Sequence, residues 1–203
     1  TPPDRCEVVC GVSFGLGLQV QVCILLSVFG PFLLLAEPEA AEPDYARLPR
    51  FVDVSDQTGI DFVHINGIRT EKNYIPETKG GGAGFLDYDG DGWLDIFLVQ
   101  GSTVERYRSG ENPRSELWRN RRDGTFENVT EEAGLDCRGW GMGVAAGDYD
   151  NDGDVDLYIT HVGPNRLFRN NGDGTFSDVT DAAGVGDPRW STSAVFGDYD
   201  LDG

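Results

Sequence analysis

The 203-residue sequence is poor in basic residues, almost free of histidine and nearly without cysteine outside its first segment. Lysine and arginine total 16 against 35 acidic residues, a net charge of −19 at pH 7. A chain of that sign has no means of neutralising phosphates, which excludes nucleic acid as a partner. Of the four cysteines, Cys6, Cys10 and Cys23 lie in or before an apolar leader and Cys137 stands alone in the remainder. No disulfide framework follows, and Cys137 reads as an ordinary semi-buried thiol. The two histidines, His64 and His161, have no Ser, Cys or carboxylate grouping that recurs around them, so both read as polar side chains on strands.

Charge of either sign is missing from Val8 to Ala36, and the densest apolar run, VCILLSVFGPFLLLA, occupies 22–36. Residues 1–36 read as a signal peptide, with Leu34 and Ala36 as its small-residue cleavage pattern, or as an uncleaved membrane anchor, since the run is long enough to span. A buried core segment is the third reading. Residues 37–50, EPEAAEPDYARLPR, lack any apolar period and read as a linker. The sequence starts at Thr1 and stops at Gly203 inside a repeated loop, so it reads as a piece of a longer chain.

That loop is the feature around which the rest is arranged. DYDGDGWLD (87–95) returns as DYDNDGDVD (148–156) and begins again as DYDLDG at Asp198. Carboxylates stand at loop positions 1, 3, 5 and 9 with glycine at position 6. Alternate side chains turned inward surround a cation of the calcium class, which takes 6 to 8 oxygens at roughly 2.3–2.6 Å, and the glycine permits the chain reversal. Position 7 is Trp93 in one copy and Asp154 in the other. Indole has no oxygen, so the ligand there is expected to be the main-chain carbonyl, with the Asp154 carboxylate pointing away. The expected Ca2+ ligands are therefore Asp87, Asp89, Asp91, Asp95 and the Trp93 carbonyl; Asp148, Asp150, Asp152, Asp156 and the Asp154 carbonyl; and, in the third loop, Asp198, Asp200 and Asp202. An EF-hand is excluded, because position 12 is Leu98 or Ile159 in β-rich runs rather than a bidentate Glu between helices.

Two markers fix the repeat. LWRNRRDGTFENVTEEAGL (117–135) aligns with LFRNNGDGTFSDVTDAAGV (167–185), fifty residues on, and Asp148 stands fifty before Asp198. Asp87 and Asp148 are 61 apart, which places an insertion of about eleven residues near Thr103–Asn112. Within a unit, GMGVAAGD and VDLYITHV read as strands joined by the acidic loop, and NRLFRN and TFSDVT as a hairpin turned at an Asp-Gly pair. The nearly continuous apolar runs predict strands covered on both faces. Phe51–Val54 aligns with the outermost strands at Phe126 and Phe176 and reads as a stray outer strand, while the run before Asp198 reads as the first strand of a third unit. Four-stranded units of this length stack around an axis, so the fold class is all-β: a β-propeller fragment of four-stranded antiparallel blades, spanning 51–203, with calcium loops between the first two strands of each blade.

The runs GFLDYDGDGWLDIFLVQG and GVAAGDYDNDGDVDLYITHVG resemble the FG-GAP and VCBS-type repeats of integrin-α-like β-propellers. Phe196-Gly197 and Gly163-Pro164-Asn165 match the FG and GAP elements in part. Residues 51–203 are also similar to the bacterial relatives of cartilage acidic protein, which carry an ASPIC/UnbV module further on. The resemblance implies a calcium-loaded propeller, secreted or at the cell surface, used for adhesion or for recognition of a protein or glycan ligand, without catalysis. The other function class is a polysaccharide-acting lyase or hydrolase built on a propeller, since propellers host both. Expected partners are that ligand and the remaining blades of a longer chain, with a membrane only if 8–36 is an anchor. Trp140 and Trp190, each eight residues before a loop, read as packing aromatics, and Trp118 as core. The sequon Asn128-Val129-Thr130 has copies Asp178-Val179-Thr180 and Asp53-Val54-Ser55, so the position wants a short polar residue.

Overall fold

A computed structural model describes residues 51–67 and 72–200; the expected leader and linker (1–50) and Asp202 lie outside the described residues. Two four-stranded antiparallel meanders make up the described chain. The first runs β1 (Ala83–Leu86), β2 (Asp95–Leu98), β3 (Glu116–Asn120) and β4 (Phe126–Asn128), and the second β5 (Gly141–Gly147), β6 (Asp156–His161), β7 (Arg166–Asn170) and β8 (Phe176–Asp178). Short helices α1 (Ser55–Thr58), α2 (Val104–Ser109) and α3 (Thr180–Ala183) decorate them.

Each turn has a local cause. Between β3 and β4, and again between β7 and β8, the carboxylates of Asp123 and Asp173 accept the N–H and hydroxyl of the threonine two residues on, at 2.6–2.9 and 2.5–3.0 Å. Gly124 and Gly174 then take φ of 89° and 83°, which L side chains avoid. Beyond β4, Asn128 Oδ1 accepts the Thr130 N–H and hydroxyl at 3.1 and 2.6 Å, and Asp178 does the same for Thr180 at 3.0 and 2.5 Å. The two threonine hydroxyls in turn accept Leu117 N–H and Leu167 N–H at 2.9 and 3.0 Å. The repeated short polar residue is thus a turn-forming acceptor that ties the end of a blade to its third strand.

The core lies between the two sheets. Tyr88, Phe97, Leu117, Ala133 and Leu135 of the first pack in one cluster with Leu157, Ile159, Phe168 and Phe176 of the second. Fully burying a side chain such as Phe97, Leu117 or Leu157 contributes about 1.5–3 kcal/mol. Tyr88 stacks on Phe176 with ring centres 6.3 Å apart. The step from one unit to the next also repeats in the backbone. Gly141 N–H donates to Gln100 O at 3.0 Å, and fifty residues on Ser191 N–H donates to His161 O at 3.0 Å. A Cβ on Gly82 would stand 2.8 Å from Gly143 Cα, and one on Gly143 would stand 2.9 Å from Thr192 O. Glycine lets the innermost strands approach backbone to backbone, the packing of adjacent propeller blades.

Three expectations fail. Phe51–Val54 is not a strand: Phe51 is almost wholly exposed, and only the Asp53 turn and the one-turn helix α1 remain of the aligned pattern. A strand needs a ladder partner, and its copies β4 and β8 have β3 and β7 beside them, whereas no described strand lies beside Phe51. For the same reason residues 191–198 run along β5 without forming a third unit's first strand among the described residues. Burial on both faces holds for β6 but not for β1, where Phe85 remains 65% exposed. The insertion contains α2, capped by Thr103 and closed by Gly110 at φ 78°, and Tyr107 from it packs edge-on against Trp140 at 6.0 Å. Trp140 and Trp118 are buried as expected, while Trp190 is 40% exposed.

Candidate metal centres

The acidic loops join β1 to β2 and β5 to β6, and each is folded by its own first and last carboxylates. Asp87 accepts the N–H groups of Asp91 and Gly92 at 3.0 and 2.8 Å, and Asp148 those of Asp152 and Gly153 at 3.2 and 2.9 Å. The reversal at position 6 puts Gly92 and Gly153 at φ 85° and 96°. Position 4 is left-handed too, at Gly90 and Asn151, the latter of the residue type that best tolerates it after glycine.

Position 9 carries the loop into the sheet. Asp95, almost fully buried, accepts Tyr88 N–H at 3.1 Å with one oxygen and Asn120 N–H at 2.7 Å with the other. Asp156 repeats this with Tyr149 and Asn170 at 2.9 and 2.8 Å. Burial pushes both carboxyls above the ordinary aspartate value, against the pull of those N–H groups, and repulsion from neighbouring aspartates adds to the rise. These residues thus have a structural duty independent of any ion, which their spacing alone did not reveal.

One carboxylate oxygen each from Asp87, Asp89 and Asp95 lies within 4.8 Å of the others, and Asp148, Asp150 and Asp156 form the same triad. The donors are hard oxygens and all anionic, a set that fits Ca2+, Mg2+ or Mn2+ and not a soft metal. Positions 5 and 7 stand outside the triads. Asp91 accepts Trp93 N–H at 2.8 Å and pairs with Arg122 at 2.6 Å, which together hold its carboxyl below the ordinary value, the arginine contact being the larger cause. Asp152 accepts Asp154 N–H at 3.0 Å, and the Asp154 carboxylate lies against Gly172. In the third loop, Asp198 and Asp200 border a cleft of about 490 Å³ shared with Asp148 and Tyr149, and Asp202 is outside the described residues.

Sequence spacing also missed a contact across 24 residues. Cys137 Sγ lies 3.7 Å from His161 Nε2, both buried. Burial pushes the thiol up to about 12 and the imidazole down to about 4, so both are neutral near pH 7 and no thiolate forms there. His64 sits apart, accepting Gly81 N–H at 3.2 Å.

Two adjacent four-stranded blades with an acidic loop between the first and second strand of each define a protein of the β-propeller repeat class. The chain belongs to the FG-GAP-like repeat family, whose profile matches residues 87–159 and 158–203. The first match runs from the loop of one blade to β6 of the next, so the sequence repeat straddles the structural one. No curated protein matches the chain. Among the described residues no helix is long and apolar enough to cross a membrane.

Proposed function

We propose that this is a calcium-binding propeller module, secreted or displayed at the cell surface, that recognises a protein or glycan ligand without transforming it. The observation that carries the reading is the pair of equivalent carboxylate triads, Asp87/Asp89/Asp95 and Asp148/Asp150/Asp156, at the same place in successive blades. Three carboxylates held this close repel one another, and a divalent cation converts that repulsion into attraction, so the ion serves to fix the loop at the blade end. The triads would supply side-chain ligands, and the carboxylates of Asp91 and Asp152 with the carbonyls at position 7 would complete the set. Export, with 1–36 as its leader, is part of the same proposal, and extracellular calcium is high enough to fill modest sites. FG-GAP-like repeats generally serve binding and extracellular display, which supports the non-catalytic reading. The narrower kinship with ASPIC/UnbV-bearing relatives of cartilage acidic protein, and the membership of further blades in the same ring, belong to the same proposal.

The test of recognition is an array of glycans and extracellular proteins probed with the labelled chain in calcium and in chelator. Calcium-dependent capture of a defined ligand class supports the reading. Turnover of an arrayed polysaccharide would refute it in favour of a lyase or hydrolase.

A further inference from the structure

The two loops share carboxylates at positions 1, 3, 5 and 9, and the second adds Asp154 at position 7. The turn facing each differs by two cations, Arg121 and Arg122 standing where the second turn has Asn171 and Gly172, and Arg121 is paired with Glu127 at 3.2 Å. Arg122 stands on the β3–β4 turn, and its copy on the β7–β8 turn fifty residues on is Gly172. Arg122 donates to Asp91 Oδ2 from Nη2 at 2.6 Å and from Nε at 3.1 Å. The Asp91 contact and, to a lesser degree, the charges of Asp89 and Asp87 hold the Arg122 guanidinium above its ordinary value. The backbone at Arg122 is left-handed, φ 65°, and its N–H donates to Asn120 Oδ1 at 2.8 Å, so the turn aims the side chain back at the loop. In the second blade no described cationic side chain pairs with Asp152. A Cβ on Gly172 would stand 2.6 Å from Asp154 Oδ2, so the second loop occupies the space that an arginine would need.

Resting on the reading that these loops hold calcium, we infer that Arg122 is a counter-cation built into the first loop, making that loop the weaker site. A divalent ion arriving there meets a unit positive charge and must take Asp91 from a charge-assisted hydrogen bond. The second loop offers its fifth-position carboxylate without that competition. The loops therefore fill in order, second before first, and the first blade end becomes fixed only at higher calcium. Because Arg122 is about half exposed, solvent screens the pair, and the affinity gap is about threefold to tenfold.

The test titrates calcium calorimetrically into the full chain carrying Asp148→Asn, which leaves the first loop, and carrying Asp87→Asn, which leaves the second. The expected result is a dissociation constant about threefold to tenfold higher for the first loop. Adding Arg122→Gly closes the gap, and Arg122→Lys, which keeps the charge, does not. Thermal unfolding checks that each variant is folded, and glycine is the residue best suited to that backbone angle. Equal constants in the two single-site proteins, or a first-loop constant that Arg122→Gly leaves unchanged, would overturn the inference while calcium binding stands. Absence of saturable uptake at either loop would overturn the calcium reading and the inference with it.

Discussion

His161 gives the sharpest prediction about stability. It is only 3% exposed, with Cys137 Sγ beside Nε2, and a Cβ on Gly139 would stand 2.5 Å from its ring. Burial and, secondarily, the nearby Arg166 charge move the imidazole from its ordinary 6.5 down to about 4. Below 6.5 the unfolded chain takes up a proton that the folded chain refuses. This histidine's contribution to stability is therefore complete above about pH 6.5, is lost progressively as pH falls to about 4, and changes no further below that. A tenfold change in an ionisation constant corresponds to about 1.36 kcal/mol, so the full loss is about 3 kcal/mol. The blade-one counterpart is Gln100, which bonds through Nε2 to Val63 O and through Oε1 to Ile65 N–H, so His161→Gln removes the titration with a side chain the repeat already accepts. Urea unfolding of both proteins in chelator, from about pH 7.5 to 4.5, isolates the effect, because titrations common to both cancel in the difference. The wild type should lose stability relative to His161→Gln by about 2–3 kcal/mol across that range. Parallel pH profiles would refute the account of a neutral buried imidazole.

Two further perturbations separate scaffold from ligand. Asp95→Ala leaves Tyr88 N–H and Asn120 N–H without their acceptor and should cost about 2 kcal/mol or more even in chelator, whereas Asp89→Ala, exposed and without backbone duty, should stay within about 0.5 kcal/mol until calcium is added. Denaturant midpoints of the two variants decide this, and equal metal-free losses would contradict it. Phe176→Ala removes the ring that stacks on Tyr88 across the blade interface and should cost about 3–5 kcal/mol by the same assay; a loss below about 1 kcal/mol would mean that the blades do not pack as described.

Most of the fold was legible because it is repetitive. The 50-residue step, the Asp-Gly turns and the two apolar runs flanking each acidic loop imply β1–β4 and β5–β8 directly, since each signal is local and occurs twice. The positions of Asp87, Asp89 and Asp95 in one cluster followed from alternation in a short loop. What escaped depended on partners distant in sequence. Phe51–Val54 carries the same residues as β4 and β8, and only the missing neighbour strand distinguishes it. The pairing of Arg122 with Asp91 spans 31 residues, and that of Cys137 with His161 spans 24. Helix α2 was legible in principle, from Thr103 at its start and Gly110 at its end, but no second copy drew attention to it.

Calcium titration of the full chain, followed by thermal unfolding in calcium and in chelator, tests the central claim most directly. Saturable uptake at the two complete loops should be abolished at one loop by Asp89→Asn and at the other by Asp150→Asn. Calcium at about 100 times its dissociation constant should add roughly 2.7 kcal/mol per site, raising the unfolding midpoint. Identical midpoints in calcium and chelator, with no saturable heat, would contradict the claim that these triads are metal centres.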